Sequence, residues 1–150
     1  MNTPALPSIP VFKLYGESLA WPTPDLLHCE TISSRSREHR CEIKPHRHAD
    51  LYQQLFVFKG QAELEIEGQR TQLETPAIQV LPPLSVHGFR YSEDVQGFIV
   101  TLATPLINHL LAQLGDSVHA LARAENYPAG KDGDYLNSLF SALQAEYNGH

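Results

Sequence analysis

Turn-forming residues interrupt this chain every eight to twelve residues as far as about residue 103, and this spacing limits the fold more than any other feature of the sequence. Between two such turns, apolar residues and glutamates alternate from Ala62 to Glu67, which is typical of a strand with one buried face and one wet face. Segments 77–81 and 97–102 are almost continuously apolar, as in strands covered on both faces. The pattern predicts a mostly β sandwich or barrel. Further strands are expected at Leu27–Ile32, Arg40–Ile43, Leu55–Phe58 and Arg70–Leu73.

The apolar spacing becomes helical from Thr104, so the sequence predicts a barrel over residues 11–103 followed by two or three helices over 104–150. Thr104 is expected to cap the first helix, Pro105 to occupy its first turn and Gly115 to end it. A shorter helix is expected at Ser117–Arg123. The last helix opens at Asp134 and places five apolar side chains on one face: Leu136, Leu139, Phe140, Leu143 and Tyr147.

This apolar face needs a cover, and two alternatives are open. The barrel of the same chain can cover the helix, or the identical helix of a second subunit can do so. Under the second alternative the five residues form a dimerisation surface and the protein is a homodimer.

Charge and composition exclude several classes of protein. The 150 residues suit one domain, and the net charge of −6 has the wrong sign for binding a phosphate backbone. Residues 1–10 are rich in proline and polar groups, so a flexible arm is expected there. The chain has no apolar stretch of the length needed to span a membrane and no secretory signal, so a cytoplasmic location is expected. Cys29 and Cys41 are too few for a disulfide framework.

The eight histidines carry the chemistry of the sequence. His46 and His48 lie two residues apart, so on a strand their imidazoles share a face, which is a ligand-like spacing. Gln53 follows five residues later, and His87 lies five residues after Pro82. The alternative is that these histidines are packed or hydrogen-bonded barrel residues without a metal. The others are expected at the surface or satisfied by neighbours: His28, His39, His109, His119 and His150.

The run from Pro45 to Gln53, ending at Gly60, resembles the first motif of the cupin family, and the run from Leu81 to His87 resembles the second. The resemblance implies a cupin (jelly-roll) barrel in which His46, His48 and His87 hold a divalent metal. The sequence departs from the motifs at several positions: the family's glutamate is Gln53, its opening glycine is Arg40, the two glycines of its second motif are Pro76 and Leu84, and its terminal asparagine is Tyr91.

The change from glutamate to Gln53 bears on the metal. Three neutral imidazoles and a neutral amide leave the charge of a divalent ion uncompensated. Oxygenase iron generally requires a carboxylate ligand, whereas three histidines with an open position suit zinc, with nickel, iron or manganese as alternatives. Such a cation in an apolar barrel is suited to hold a small organic anion. Whether Gln53 coordinates or only hydrogen-bonds is open.

A second resemblance covers nearly the whole chain. Segments 9–17, 27–30, 35–37, 45–48 and 86–89 resemble the N-terminal domain of AraC-type transcription regulators, in particular those that respond to 4-hydroxybenzoate and 4-hydroxyphenylacetate. The resemblance implies an effector-binding domain for a small aromatic carboxylate, which dimerises through its helices. DNA contacts are then expected only through a C-terminal domain that is absent from these 150 residues.

Aromatic and basic residues near the motifs are the predicted lining of the effector pocket. Arg35 and Arg37 lie in a predicted loop, where they are expected to be solvated or to pair with the carboxylate. The third predicted arginine is Arg90, and the predicted aromatic residues are Tyr52, Phe56, Phe58, Phe89, Tyr91 and Phe98. About half of them are expected to be core residues only.

Two other functions remain open from the sequence alone. One is a metal-dependent cupin enzyme, a dioxygenase or isomerase acting on a small acid, although no general base accompanies the histidines. The other is a structural or carbohydrate-binding cupin with an empty barrel.

Overall fold

The computed structural model describes residues 11–12, 26–34 and 41–149. The predicted arm at 1–10, Arg35 and Arg37 lie outside the described residues. The strands are β1 (Val11–Phe12), β2 (Leu27–Thr31), β3 (Glu42–His48), β4 (Leu51–Lys59), β5 (Ala62–Ile66), β6 (Gln69–Gln72), β7 (Ala77–Leu81), β8 (His87–Tyr91), β9 (Gln96–Ala103) and β10 (Glu125–Pro128). After β9 the chain forms α1 (Thr104–Leu114), α2 (Gly133–Asn148) and two 3₁₀ helices, Gly115–Ala122 and Gly130–Asp132.

The strands form two five-stranded sheets that face each other. One sheet has the order β1-β3-β8-β5-β6, and the other has the order β10-β7-β4-β9-β2. Neighbouring strands are antiparallel apart from β1 and β3, which run parallel. This architecture, with α1 directly after β9 and α2 at the C-terminal end, confirms the predicted mostly β fold with C-terminal helices.

Alternate residues of each strand point their side chains into the interior between the sheets. On β4, Leu51, Leu55 and Val57 are buried in the core between the sheets, and Gln53, which has the same parity, is buried with them. Leu64 of β5 and Phe89 of β8 reach the same core from the facing sheet. The barrel interior is therefore filled largely by side chains.

The outer face of the second sheet carries a separate apolar cluster covered by the helices. Phe56 of β4 is fully buried there, and its ring stacks on Phe140 of α2 with centroids 4.8 Å apart and planes inclined by 11°. Phe98 of β9 also stacks on Phe140, at 6.1 Å. Cys29 is buried in this cluster, and burial, followed by the negative charge of Glu30, raises the pKa of its thiol to about 11.

The predicted dimerisation face is covered mainly by the chain's own sheet. Phe140 is buried, and Leu136, Leu143 and Tyr147 pack against the same outer cluster. The hydroxyl of Tyr147 also lies 2.7 Å from Nδ1 of His28 on β2. Leu139 alone among the five predicted residues remains about half exposed, at 48%. The first of the two alternatives, coverage by the same chain, is what the structure shows for this face.

Other details of the C-terminal segment differ from the prediction. Ala103, not Thr104, is the N-cap residue of α1; the Thr104 hydroxyl instead donates to the carbonyl oxygen of Asp50 over 2.9 Å, which ties the helix to the start of β4. The expected second α-helix is a 3₁₀ helix, Gly115–Ala122. Strand β10 was not predicted. None of the helices among the described residues combines the length and the hydropathy of a membrane-spanning segment.

The loop between β7 and β8 has a left-handed residue where the cupin motif has a glycine. Leu84 has φ of 67° and is about half exposed. Its amide donates to the carbonyl oxygen of His48 over 2.7 Å, so the loop is tied to the histidine strand. Leucine in this conformation costs roughly 1–2 kcal/mol relative to a right-handed one, because its Cβ crowds the following carbonyl. The backbone shape of the motif is thus retained without its glycine.

Candidate functional site

Three histidines from two neighbouring strands converge inside the barrel. His46 and His48 lie on β3, and His87 begins β8 directly opposite His46 in the strand register. All three are buried, with exposures of 4%, 2% and 2%. One ring nitrogen from each lies within 4.8 Å of the others. The spacing seen in the sequence therefore predicted a real spatial cluster.

Backbone carbonyls orient two of these rings. Nδ1 of His46 donates to the carbonyl oxygen of Lys44 and Nδ1 of His87 to that of Ser85, both over 2.8 Å. With the proton on Nδ1, Nε2 of each ring presents its lone pair to the cluster. Metal-binding histidines are generally oriented by such second hydrogen bonds. Neither carbonyl was predicted, because a backbone group leaves no residue-type signal in the sequence.

The two histidines of β3 are spaced as two ligands of one cation are. Nε2 of His46 lies 3.2 Å from Nε2 of His48. Two nitrogens bound to one tetrahedral zinc ion at about 2.0–2.1 Å lie roughly 3.3 Å apart. Nε2 of His87 is buried and has no hydrogen-bond partner among the described residues, which is costly for a polar atom in the interior. A metal ion would satisfy it.

Burial keeps His87 in its metal-binding protonation state. Desolvation, followed by the charges of His46 and His48, lowers the pKa of His87 from 6.5 to about 3, and the hydrogen bond to the Ser85 carbonyl only partly opposes this effect. The His87 imidazole is therefore neutral at neutral pH, which is the form in which histidine can bind a metal. No carboxylate belongs to the cluster in the parts of the chain that the structure describes.

Gln53 lies in the same interior as the histidines. It is 5% exposed, and its Nε2 donates to the Thr101 hydroxyl over 3.2 Å. It lines a small cavity together with His46, whose remaining walls are Ile43, Leu55, Leu81, Phe89 and Ile99. The cavity leaves a water-sized molecule about 10 Å³ in which to move, enough for about one water. Coordination by Gln53 stays a prediction.

The apolar residues that line the cavity were not predicted as site residues, although the alternation of side chains along a strand could have indicated some of them. On β4, every residue two positions from Gln53 shares its face, so Leu55 is expected beside it. The register then places Leu81 of β7 directly opposite Gln53. The pairing of strands distant in sequence is not visible in the sequence, so Leu81 and Ile99 could not be assigned from it.

Some of the predicted effector-lining residues face the barrel interior, and the others face the outside of the barrel. Phe89 and Tyr91 follow His87 on the inner face of β8; the Phe89 ring lies 5.4 Å from the His87 ring and stacks on Tyr91 at 5.7 Å. The other predicted lining residues lie outside this interior. Arg90 points outward beside Glu42, at 3.5 Å. The others belong to the cluster under the helices and are separated from the barrel interior by their sheet: Tyr52, Phe56, Phe58 and Phe98.

The sequence profile of the family described as AraC-like ligand binding domain matches residues 27–149. No curated protein matches the chain. Among solved structures, it is similar to KdgF from Halomonas sp., with 27% identity over 41% of this chain and a TM-score of 0.39; the match spans 58% of the KdgF chain, less than two thirds of its length.

Two further solved structures are similar to this chain. A cupin 2 conserved barrel domain protein from Salinispora arenicola has 18% identity over 64% of this chain and 80% of its own, with a TM-score of 0.41. The Cnp3 cupin domain of Schizosaccharomyces pombe has 12% identity over 50% of this chain and 56% of its own, with a TM-score of 0.39.

Proposed function

Because this chain belongs to the family of AraC-like ligand-binding domains, we propose that it is the effector-sensing domain of a transcription regulator and binds a small, aromatic carboxylate beside a metal ion. The observation that carries the proposal is the buried cluster of His46, His48 and His87 inside a barrel of this family. The family match argues for a sensor, and the cluster indicates where its ligand is held.

The three imidazoles would hold the metal, with Gln53 as a further neutral donor or as a hydrogen-bonding neighbour. Nitrogen donors at this spacing favour zinc, and nickel, iron or manganese are the alternatives. When bound, the ion would supply an uncompensated positive charge at the centre of the barrel. A catalytic role is not proposed, since no described carboxylate joins the cluster to act as a base or as the anionic ligand of oxygenase iron.

A carboxylate suits this environment. The walls of the cavity beside His46 are apolar apart from Gln53, so a cation within it attracts an anion with little competition from solvent. The space of about 10 Å³ is too small for an aromatic ring. Phe89, which borders both the cavity and the His87 ring, is the side chain that we propose moves to admit it. Its displacement would give the effector a structural consequence, as a sensor requires.

DNA binding and dimer formation belong to other surfaces of the regulator. With a net charge of −6, this domain is not the DNA-contacting part, which we assign to a separate C-terminal domain. A homodimer remains part of the proposal. The predicted contact face of α2 is packed mainly on its own sheet, and Leu139 is its most exposed member. Two free cysteines, one of them buried, are compatible with the reducing cytoplasm that we propose as its location.

Elemental analysis tests the metal site. Protein purified without a histidine tag or added metal is expected to carry about one equivalent of zinc or a neighbouring metal, lost in His46→Ala and in His87→Ala. The exposed His109→Ala variant is the control and is expected to retain the metal. Metal-free protein that melts at the same temperature as both cluster variants would overturn the metal-anchored mechanism.

Calorimetric titration with benzoate and 4-hydroxybenzoate tests the effector class. The metal-loaded protein is expected to bind at least one of them, and removal of the metal by a chelator is expected to abolish binding. Equal binding before and after chelation would contradict a role for the metal in holding the carboxylate.

A further inference from the structure

A cleft separates the two sheets at one edge of the barrel, where β6 and β10 are the outermost strands. Its volume is about 430 Å³, which lies within the range of roughly 300–1,000 Å³ typical of small-molecule sites. Neither Gln53 nor any of the three clustered histidines lines it. The cleft is therefore a separate feature from the cavity beside His46.

The floor of the cleft is apolar. Leu64 and Ile66 of β5 pair directly with Phe89 and His87 of β8, and directly opposite residues of antiparallel strands share a face. Both side chains therefore point into the barrel and present hydrocarbon to the cleft, which they line. The floor is suited to the flat apolar body of a ligand.

Gln79 provides a buried polar group in this cleft. It lies on β7, is 3% exposed, and is paired in register with Asn126 of β10, which also lines the cleft. Within the described structure, the Gln79 carboxamide makes one side-chain hydrogen bond, from Nε2 to the carbonyl oxygen of Val80 over 3.0 Å. A carboxamide has two N–H donors and an oxygen acceptor, so one donor and the acceptor are left for a ligand.

The charge of the cleft argues against an anion. Its polar lining consists of amides and a hydroxyl from the two edge strands and Gln79, and Glu74 is the single charged group among the described lining residues. A carboxylate ligand would have no cation to pair with there and would face Glu74 in a protein of net charge −6. An uncharged ligand with both a donor and an acceptor matches the lining.

We propose that this cleft is a second binding site, for a small uncharged molecule that carries a primary carboxamide on an apolar ring. The ligand's amide pairs with the free N–H and carbonyl oxygen of Gln79, and its ring lies on Leu64 and Ile66. Thr71 and Asn126 flank it from the two edge strands. The site needs no metal, so it stands independently of the carboxylate site proposed above.

Benzamide and benzoate form a matched pair of probes, because they share a ring and differ in charge and in the N–H donors. The full chain, labelled with ¹⁵N, is titrated with each while its backbone and side-chain amide signals are followed. The benzoate titration uses chelator-treated protein, so that no metal in the barrel can hold the carboxylate. Gln79→Met removes the carboxamide in the cleft at similar volume, and Gln53→Met does the same beside His46. Thermal melts establish that both variants are folded.

We expect benzamide to shift the signals of Thr71, Gln79 and Asn126, and benzoate to leave them unchanged. The dissociation constant for benzamide should rise about tenfold or more in Gln79→Met, for the loss of paired hydrogen bonds, and should be unchanged in Gln53→Met and after chelation.

The proposal is overturned if benzamide shifts none of these signals, if benzoate shifts them equally, or if Gln53→Met weakens benzamide as much as Gln79→Met does. If Gln79→Met does not fold, the comparison of benzamide with benzoate on the unmodified chain decides alone. Failure of the carboxylate site would instead show as metal-free protein, which leaves the benzamide result unaffected.

Discussion

Replacing His87 by asparagine tests whether its imidazole is held neutral inside the barrel. In the folded chain the pKa of His87 is about 3, against 6.5 for an unperturbed histidine. Between these values the unfolded chain binds one more proton than the folded chain, so the stability that His87 contributes is fully present above pH 6.5 and is lost progressively as the pH falls towards 3. Stability therefore falls as the pH falls, as expected for a buried histidine that resists protonation.

The size of the effect follows from the linkage. Well inside this window each pH unit costs about 1.4 kcal/mol. Because half of the unfolded histidine is already protonated at pH 6.5, the metal-free protein should lose about 2.3 kcal/mol through His87 between about pH 6.5 and about pH 4.5. His87→Asn has no titrating group at this position, so its free energy of unfolding should fall by that amount less over the same pH interval. Carboxylates titrate in both proteins, so the difference between the two curves isolates the histidine.

The assay is urea unfolding followed by circular dichroism, in the presence of a chelator, at several pH values. The exposed His109→Asn variant is the control and is expected to run parallel to the unmodified protein. If the curves of the unmodified protein and His87→Asn are parallel as well, the imidazole is not held neutral by burial and the reasoning is refuted.

Two further predictions concern packing and backbone conformation. Phe140→Ala should lower the free energy of unfolding by about 3–5 kcal/mol, because it removes the ring that stacks on Phe56 under α2. Leu139→Ala, at a half-exposed position of the same helix, should lower it by less than about 1.5 kcal/mol. Equal losses in urea unfolding would contradict the packing described. Leu84→Gly should leave the free energy of unfolding unchanged or raise it by up to about 1 kcal/mol, because glycine adopts the left-handed conformation without strain. Leu84→Val should lower it by about 1–2 kcal/mol, since a β-branched side chain is more strained in that conformation. Thermal melts that show the opposite order would refute this account of the loop.

Much of the barrel could be predicted from the sequence because its strands carry a local signal. The alternation around Leu64 and the apolar run at Ala77–Leu81 identified strands β5 and β7, the second with its observed bounds. The histidine spacing located the cluster, since residues two apart on a strand must share a face.

What the sequence did not reveal depends on long-range pairing. Strand β10 is short, exposed along its length and ends in Pro128, so nothing local distinguishes it from a loop; its pairing with β7 makes it a strand. The aromatic ring of Phe56 favours a place in the effector pocket, whereas its position three residues after Gln53 on the same strand predicts the opposite face, which is where the structure places it.

Strand β4 joins two interiors that would otherwise be separate. Gln53 projects from one of its faces towards the histidines, and three residues later Phe56 projects from the other into the stack with Phe140. A backbone that is common to both sides cannot shift for one of them alone. We therefore expect substitutions at Gln53 and at Phe140 to show a non-zero interaction energy, although the two side chains belong to different clusters. A displacement of this strand on the barrel side should change the seating of α2 on the other side.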